Sequence, residues 1–219
     1  MASILLAFAI DAWHDGSSDR RLEADYQQRI AEELSAVRSA LSYEADGINR
    51  SIEAGKYASA FFDNSEEHVD SGQLVASLFY MGLDALSLFD VSTYEDLIST
   101  GRLGLISDVE RRTAIQRAYS QIERAELALR PYRDEYLKGI RAWIPSRVQQ
   151  QLRDVCVGRV GFDCSPIALQ GADAEMILEH FASDEAVLAF RLREQGLLIA
   201  SSLTERAIDA VDAALEVLD

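Results

Sequence analysis

A chain of 219 residues, 48% hydrophobic and 26% charged, is long enough to bury a sizeable core and has the composition of a folded domain. Its formal net charge of −16 disfavours nucleic acid as a partner, and equally a body lying flat on anionic lipid, because both would repel it at long range. Three prolines and twelve glycines leave few helix breaks, so an all-α fold is expected.

The first stretch, Ser3 to Ile10, carries no charge and is followed at once by Asp11, Trp13, His14 and Asp15. Hydrocarbon giving way to an aromatic interface and then to water is how a membrane helix ends. The stretch has only about half of the ~20 apolar residues that a span needs. Three readings compete. A secretory signal would need a basic segment in front, and none is present. A short buried core helix is the second. The third is the C-terminal half of a membrane anchor, with Ile4, Leu5, Leu6, Phe8, Ile10 and Trp13 as its membrane residues; it accounts best for the Trp13 boundary and divides the chain into an anchor over 1–15 and one helical bundle over 16–219.

From Ser18 a long amphipathic helix is predicted, capped by Ser17 or Ser18. Leu22, Tyr26, Ile30, Leu34, Val37, Leu41, Ala45, Ile48 and Ile52 recur every three or four residues, and the stripe continues through Tyr57 and Phe61. Asp63 to Asp70 reads as a solvated acidic loop, since its oxygens lack the order of an EF-hand and no glycine sits at the turn. His68 is the best of three poor metal-ligand candidates, with His14 and His180 far away in sequence. Leu74 to Phe89 is apolar nearly all round and reads as a central helix buried on several sides. Ser92 or Thr93 is expected to cap a short helix that Gly101 ends, and Asp108 to cap the next. Gly101, Arg102 and Gly104 do not make a phosphate loop, because the Lys and Ser/Thr of that motif are missing.

The apolar stretch ending in Asp11-Ala12-Trp13, the long helix after it, and Thr93-Tyr94 through Leu97-Ile98-Ser99-Thr100-Gly101-Arg102-Leu103 to Ile106-Ser107-Asp108 together resemble a family of uncharacterised bacterial proteins. The resemblance covers roughly residues 3 to 145. It implies one N-terminal transmembrane helix and a helical extramembrane domain. These motifs are packing and capping residues, so no catalytic role comes with them. The short anchor and the segment around Cys156 and Cys164 depart from the family's pattern.

Val109 to Ile144 is predicted to be a long helix that Pro131 kinks or divides, with Ile115, Tyr119, Ile122, Ala125, Leu129, Tyr132, Tyr136 and Ile140 turned inward. Arg111, Arg112 and Arg117 are expected to be solvated. Ser146 can cap a further helix to about Val155. Cys156 and Cys164 are eight positions apart, and Gly158 and Gly161 would let the segment fold back; two unrelated buried thiols and a disulfide both remain open, the latter requiring an oxidising compartment. A short helix over Ala174 to Phe181 follows. Ser183-Asp184-Glu185 then starts a last helix with Leu197, Thr204, Ile208, Val211, Leu215 and Leu218 in one stripe.

No nucleophile elbow, Walker loop, dinucleotide fingerprint or zinc-type pair is present. Glu175 and Glu179 lie near His180 but lack the i, i+3 spacing of a di-iron bundle. The expectation is therefore an all-α long-helix bundle with a partial membrane-anchor helix. It would act through protein partners or self-association without catalysis, cofactor, metal or nucleic acid, at a bacterial inner membrane with its body in the periplasm. The alternative is a soluble helical ligand-binding domain or enzyme with a pocket of convergent charged groups.

Overall fold

The computed structural model describes residues 2–63, 70–82, 89–128, 130–156, 169 and 171–218, with side chains described from residue 17 onward except at 128, 130–135, 155–156 and 172. The described residues form helices and connecting turns: α1 (Ala2–Phe62), α2 (Ser71–Met81), α3 (Ser92–Ser99), a 3₁₀ turn (Arg102–Leu105), α4 (Val109–Ala128), α5 (Arg130–Trp143), α6 (Ser146–Cys156), α7 (Gly171–Phe181) and α8 (Asp184–Leu218). The expected all-α class is what the chain adopts. It divides into two compact units. One comprises Met1–Ser42, Leu88–Glu123 and Arg206–Asp219, and the other Tyr43–Ser87 and Arg124–Glu205.

The two long helices each bury a strict alternation of four and three. On α1 it runs Ile30, Leu34, Val37, Leu41, Glu44, Ile48, Ser51, Gly55, Ala58, and on α8 Ala186, Phe190, Arg193, Leu197, Ala200, Thr204, Ala207, Val211, Ala214. An average of 3.5 residues keeps one stripe turned to a neighbour along a left-handed coil. In the first unit the two helices are tied by Arg38, whose Nε donates to Asp212 Oδ1 at 2.6 Å. In the second, Asn49 pairs with Ser201 and Ser59 with Glu194, and Asp63 pairs with Arg191, so the helices run antiparallel.

This corrects the predicted stripe beyond Leu41. Ala45, Ile52, Tyr57 and Phe61 are only half-buried, and the fully buried positions there are Glu44, Ser51, Gly55 and Ala58. A close helix contact selects small side chains, whereas a search for hydrophobicity finds the larger residues flanking it. Gly55 shows how close: a Cβ there would stand 3.2 Å from the Met81 Cε. On α8 the same bias favoured Ile208, Leu215 and Leu218, which are half-buried, over the alanines of the seam.

Helix ends fall largely where local chemistry puts them. Asp70 accepts the Gln73 N–H at 2.7 Å and starts α2. Asp108 accepts the N–H groups of Glu110 and Arg111 and starts α4. The left-handed Gly101, at φ 68°, closes the α3 turn. The expected kink or division at Pro131 falls beside residue 129, outside the described residues, and helix runs on either side of it. Ser183 Oγ accepts the Ala186 N–H and starts α8.

Several expectations need correction. α2 stops at Met81 with Gly82 at its C-cap and does not run to Phe89, and 83–88 lie outside the described residues. Pro145, not Ser146, occupies the N-cap position of α6, its carbonyl accepting from Val148 and Gln149. Arg111 and Arg112 are not merely solvated, since they donate to Gln27 Oε1 and to the Ile106 carbonyl. Among the described residues no helix is long and apolar enough to cross a membrane. Ile4, Leu5, Leu6, Phe8, Ile10 and Trp13 fall in the first turns of α1, which runs without interruption through position 15. Eight helical residues advance only about 12 Å, against roughly 30 Å of hydrocarbon, so the uncharged stretch is not a span by itself.

Candidate interaction site

The second unit carries the cleft with the most distinctive chemistry. It has a volume of about 350 Å³ and lies between α5 and α8, lined by Lys138, Gly139, Ala142 and Trp143 from one helix and Glu185, Leu188, Ala189 and Leu192 from the other. Gly139 shapes its floor. A Cβ at that position would meet the Trp143 six-membered ring at 2.4 Å, so the missing side chain is what lets the indole lie on the backbone of its own helix. Phe181 then locks the indole edge-on, with centroids 5.4 Å apart.

The charges at the rim are opposed. Lys138 stands on the α5 wall and Glu185 on the α8 wall, both exposed, and neither is in an ion pair among the described residues. Along α8 the apolar lining does not end with the cleft. Leu188, Leu192 and Ile199 are 61%, 43% and 46% exposed. At 100° per residue they fall within about 40° of one another, on the side of α8 away from its buried seam. α8 thus carries large apolar side chains on its open face, interrupted by Gln195, as well as along its buried seam.

Two further polar clusters are structural. In the first unit, Glu33 of α1 accepts the Thr93 N–H at 2.7 Å and the Tyr94 N–H at 3.4 Å, and also the Tyr119 hydroxyl. The N-terminus of α3 is therefore capped by Glu33 from another helix and by Asp90, which accepts the Ser92 N–H at 3.1 Å, where Ser92 or Thr93 was expected; Thr93 supplies a backbone donor and not the capping side chain. Tyr94 stacks on Tyr119 with centroids 4.0 Å apart. Burial, followed by the hydrogen bond to Glu33, pushes the Tyr119 hydroxyl well above its usual range. Glu23 accepts from the Ser107 N–H and hydroxyl, while Tyr26 donates to Asp96 and accepts from Arg102. Arg102 is thereby engaged within the fold beside Gly101.

In the second unit Arg193, 2% exposed, donates from Nε to the Met81 carbonyl at 2.8 Å. Tyr136 donates to the Leu78 carbonyl at 2.7 Å. Both satisfy orphan carbonyls at the C-terminus of α2, where the helix dipole favours a cation. Burial raises the Tyr136 hydroxyl, and nearby Arg193 opposes that rise.

The residues weighed from sequence for chemistry do not converge. Glu175, Glu179 and His180 lie exposed on α7, and among the described residues no group of three His, Cys, Asp or Glu could hold a metal. His68 and Cys164 lie outside the described residues, as does the Cys156 side chain at the end of α6. The cleft was missed because its marks are a glycine four residues before a tryptophan and leucines off the buried stripe. The one available signal was Leu188, Leu192 and Ile199 on a common face. The chain matches no family model, no curated protein and no solved structure.

Proposed function

We propose that the chain is an accessory protein that works by helix-mediated contact and carries no catalytic centre of its own. The observation that carries this reading is α8, a long helix whose seam is buried and whose opposite face leaves Leu188, Leu192 and Ile199 in solvent beside an open cleft. Large apolar side chains exposed along one helix face mark an interaction site more often than a site of chemistry. The net charge of −16 supports protein partners over nucleic acid.

The finer part of the reading places the first turns of α1 at a bacterial inner membrane, with the body on the periplasmic side. Its support is the uncharged stretch Ser3–Ile10 within a helix that leads directly into the body, the Trp13 boundary, and the resemblance of residues 3–145 to single-anchor bacterial proteins. Fractionation of cells producing the chain tests this. Retention in the membrane pellet after alkaline carbonate, lost on substitution of Leu6 and Phe8 by Asp, is the expected result, and recovery wholly in the soluble fraction overturns the anchor. Affinity capture from detergent extracts tests the interaction role, with specific co-purifying protein expected and lost on Leu192→Glu.

A further inference from the structure

We propose that the α5–α8 face of the second unit is a self-association surface, and that its occupant is the same face of a second copy of this chain. The inference rests on the reading of the chain as an interaction protein and names the partner. Three observations converge on one patch. The row Leu188, Leu192 and Ile199 stands in solvent over about 16 Å of α8, longer than a small ligand in the cleft would cover. Leu188 and Leu192 of that row also line a cleft of about 350 Å³ that reaches Trp143 and Gly139 on α5. On its two walls stand Lys138 and Glu185, each without an ion-pair partner among the described residues.

A two-fold interface uses the same patch on both sides, so that whatever one copy offers the other must accept. This patch meets that condition. It holds an apolar row on one wall, a recess between the walls, and both the cation and the anion. A two-fold running along the cleft lays the α8 wall of each copy, with Glu185 and the leucine row, against the α5 wall of the other, with Lys138. A net charge of −16 opposes any meeting of two copies. That repulsion is screened beyond about 8 Å at physiological salt, and the opposed rim charges supply attraction at contact. A basic amphipathic partner, the other occupant to weigh, would find Lys138 on the wall it approaches.

Sedimentation equilibrium of the full chain tests the proposal, with the fluorescence of Trp143 in a Trp13→Phe background as a second readout. The expected result is a reversible monomer–dimer equilibrium, with Trp143 emission shifting to the blue as dimer forms. Leu192→Glu counts twice across a two-fold and should weaken the dimer by at least about 30-fold, with the far-UV circular dichroism spectrum unchanged. Lys138→Glu and Glu185→Lys should each weaken it about tenfold, and the double reversal should restore it. A chain that stays monomeric at every concentration overturns the proposal. So does a dimer that survives Leu192→Glu, or single reversals that the double variant fails to rescue. A monomer that still captures a specific protein through α8 overturns self-association and leaves the interaction reading standing, whereas a monomer that captures nothing overturns both.

Discussion

The two units hold their short helices by opposite ends and with opposite charges. In the first, the Glu33 carboxylate reaches from α1 to the N-terminus of α3, accepting from Thr93 and Tyr94. In the second, Arg193 reaches from α8 to the C-terminus of α2, joined there by Tyr136. Each charge sits where the helix dipole favours it, anion at the positive end and cation at the negative. The surroundings differ more than the chemistry. Glu33 is half-buried and also accepts from the Tyr119 hydroxyl, whereas Arg193 is 2% exposed, beside a core that includes Leu78, Phe190 and Leu197. Water can replace the contacts of a half-buried charge at modest cost, but it cannot replace a donor enclosed in the core.

The largest effect should come from that core. Phe190→Ala removes a fully buried ring packed 4.5 Å from Phe62 and should cost about 3–5 kcal/mol. Denaturant unfolding measures it, and hydrogen exchange should report faster opening of α2, α5 and α7 than of α3. The comparison itself is broken by exchanging the two tethers for uncharged residues. Arg193→Met leaves the Met81 carbonyl without its buried donor and should cost about 2–3 kcal/mol. Glu33→Gln keeps an acceptor and loses only its charge, so about 1 kcal/mol is expected. Site-resolved exchange should show the first variant loosening α2 and the second loosening the Thr93 and Tyr94 amides. Equal losses from the two would show that the surroundings of the tethers do not matter.

Alkaline pH probes both units through one residue type. Burial raises the hydroxyls of Tyr119 and Tyr136 above the ordinary tyrosine value, so the folded state keeps its proton where the unfolded chain, with a pKa of about 10, gives it up. The stability they contribute is complete below about pH 10 and is lost as pH rises beyond it, at about 1.4 kcal/mol per pH unit for each group. Tyr119→Phe should flatten the alkaline limb in the first unit, and Tyr136→Phe in the second, in thermal melts from pH 9 to 12. The smallest effects come from glycine. Gly101→Ala forces a side chain into the left-handed region and should cost about 1 kcal/mol. Gly47, with open space around its position on α1, should stabilise by a similar amount on substitution by Ala.

Much of the fold was legible because helix starts and stops are local events. Asp108, Gly101 and Ser183 act on groups within four residues of themselves, and a sequence displays all of those groups. Ile30, Leu34, Val37 and Leu41 were legible too, since a large apolar residue repeated at helical spacing has few other uses. The seam beyond Leu41 was not, because Ser51, Gly55 and Ala58 are chosen for smallness, a demand set by how closely the neighbouring helix approaches. The candidate site was hardly legible at all. Gly139 looks like an indifferent helix residue until Trp143 is seen lying on it, and Lys138 and Glu185 are ordinary surface charges until they stand on the two walls of one cleft.

By itself, then, the sequence determined the all-α class, the positions of most helix ends and one face of each long helix, because propensity, capping and periodicity act over a few residues. Only the tertiary structure decided which charges became tethers and which leucines stayed in solvent. Glu33 and Thr93 are 60 positions apart, and Arg193 and Met81 are 112 apart. What a side chain does at such separations depends on which helix end is brought to it, and no local rule carries that information.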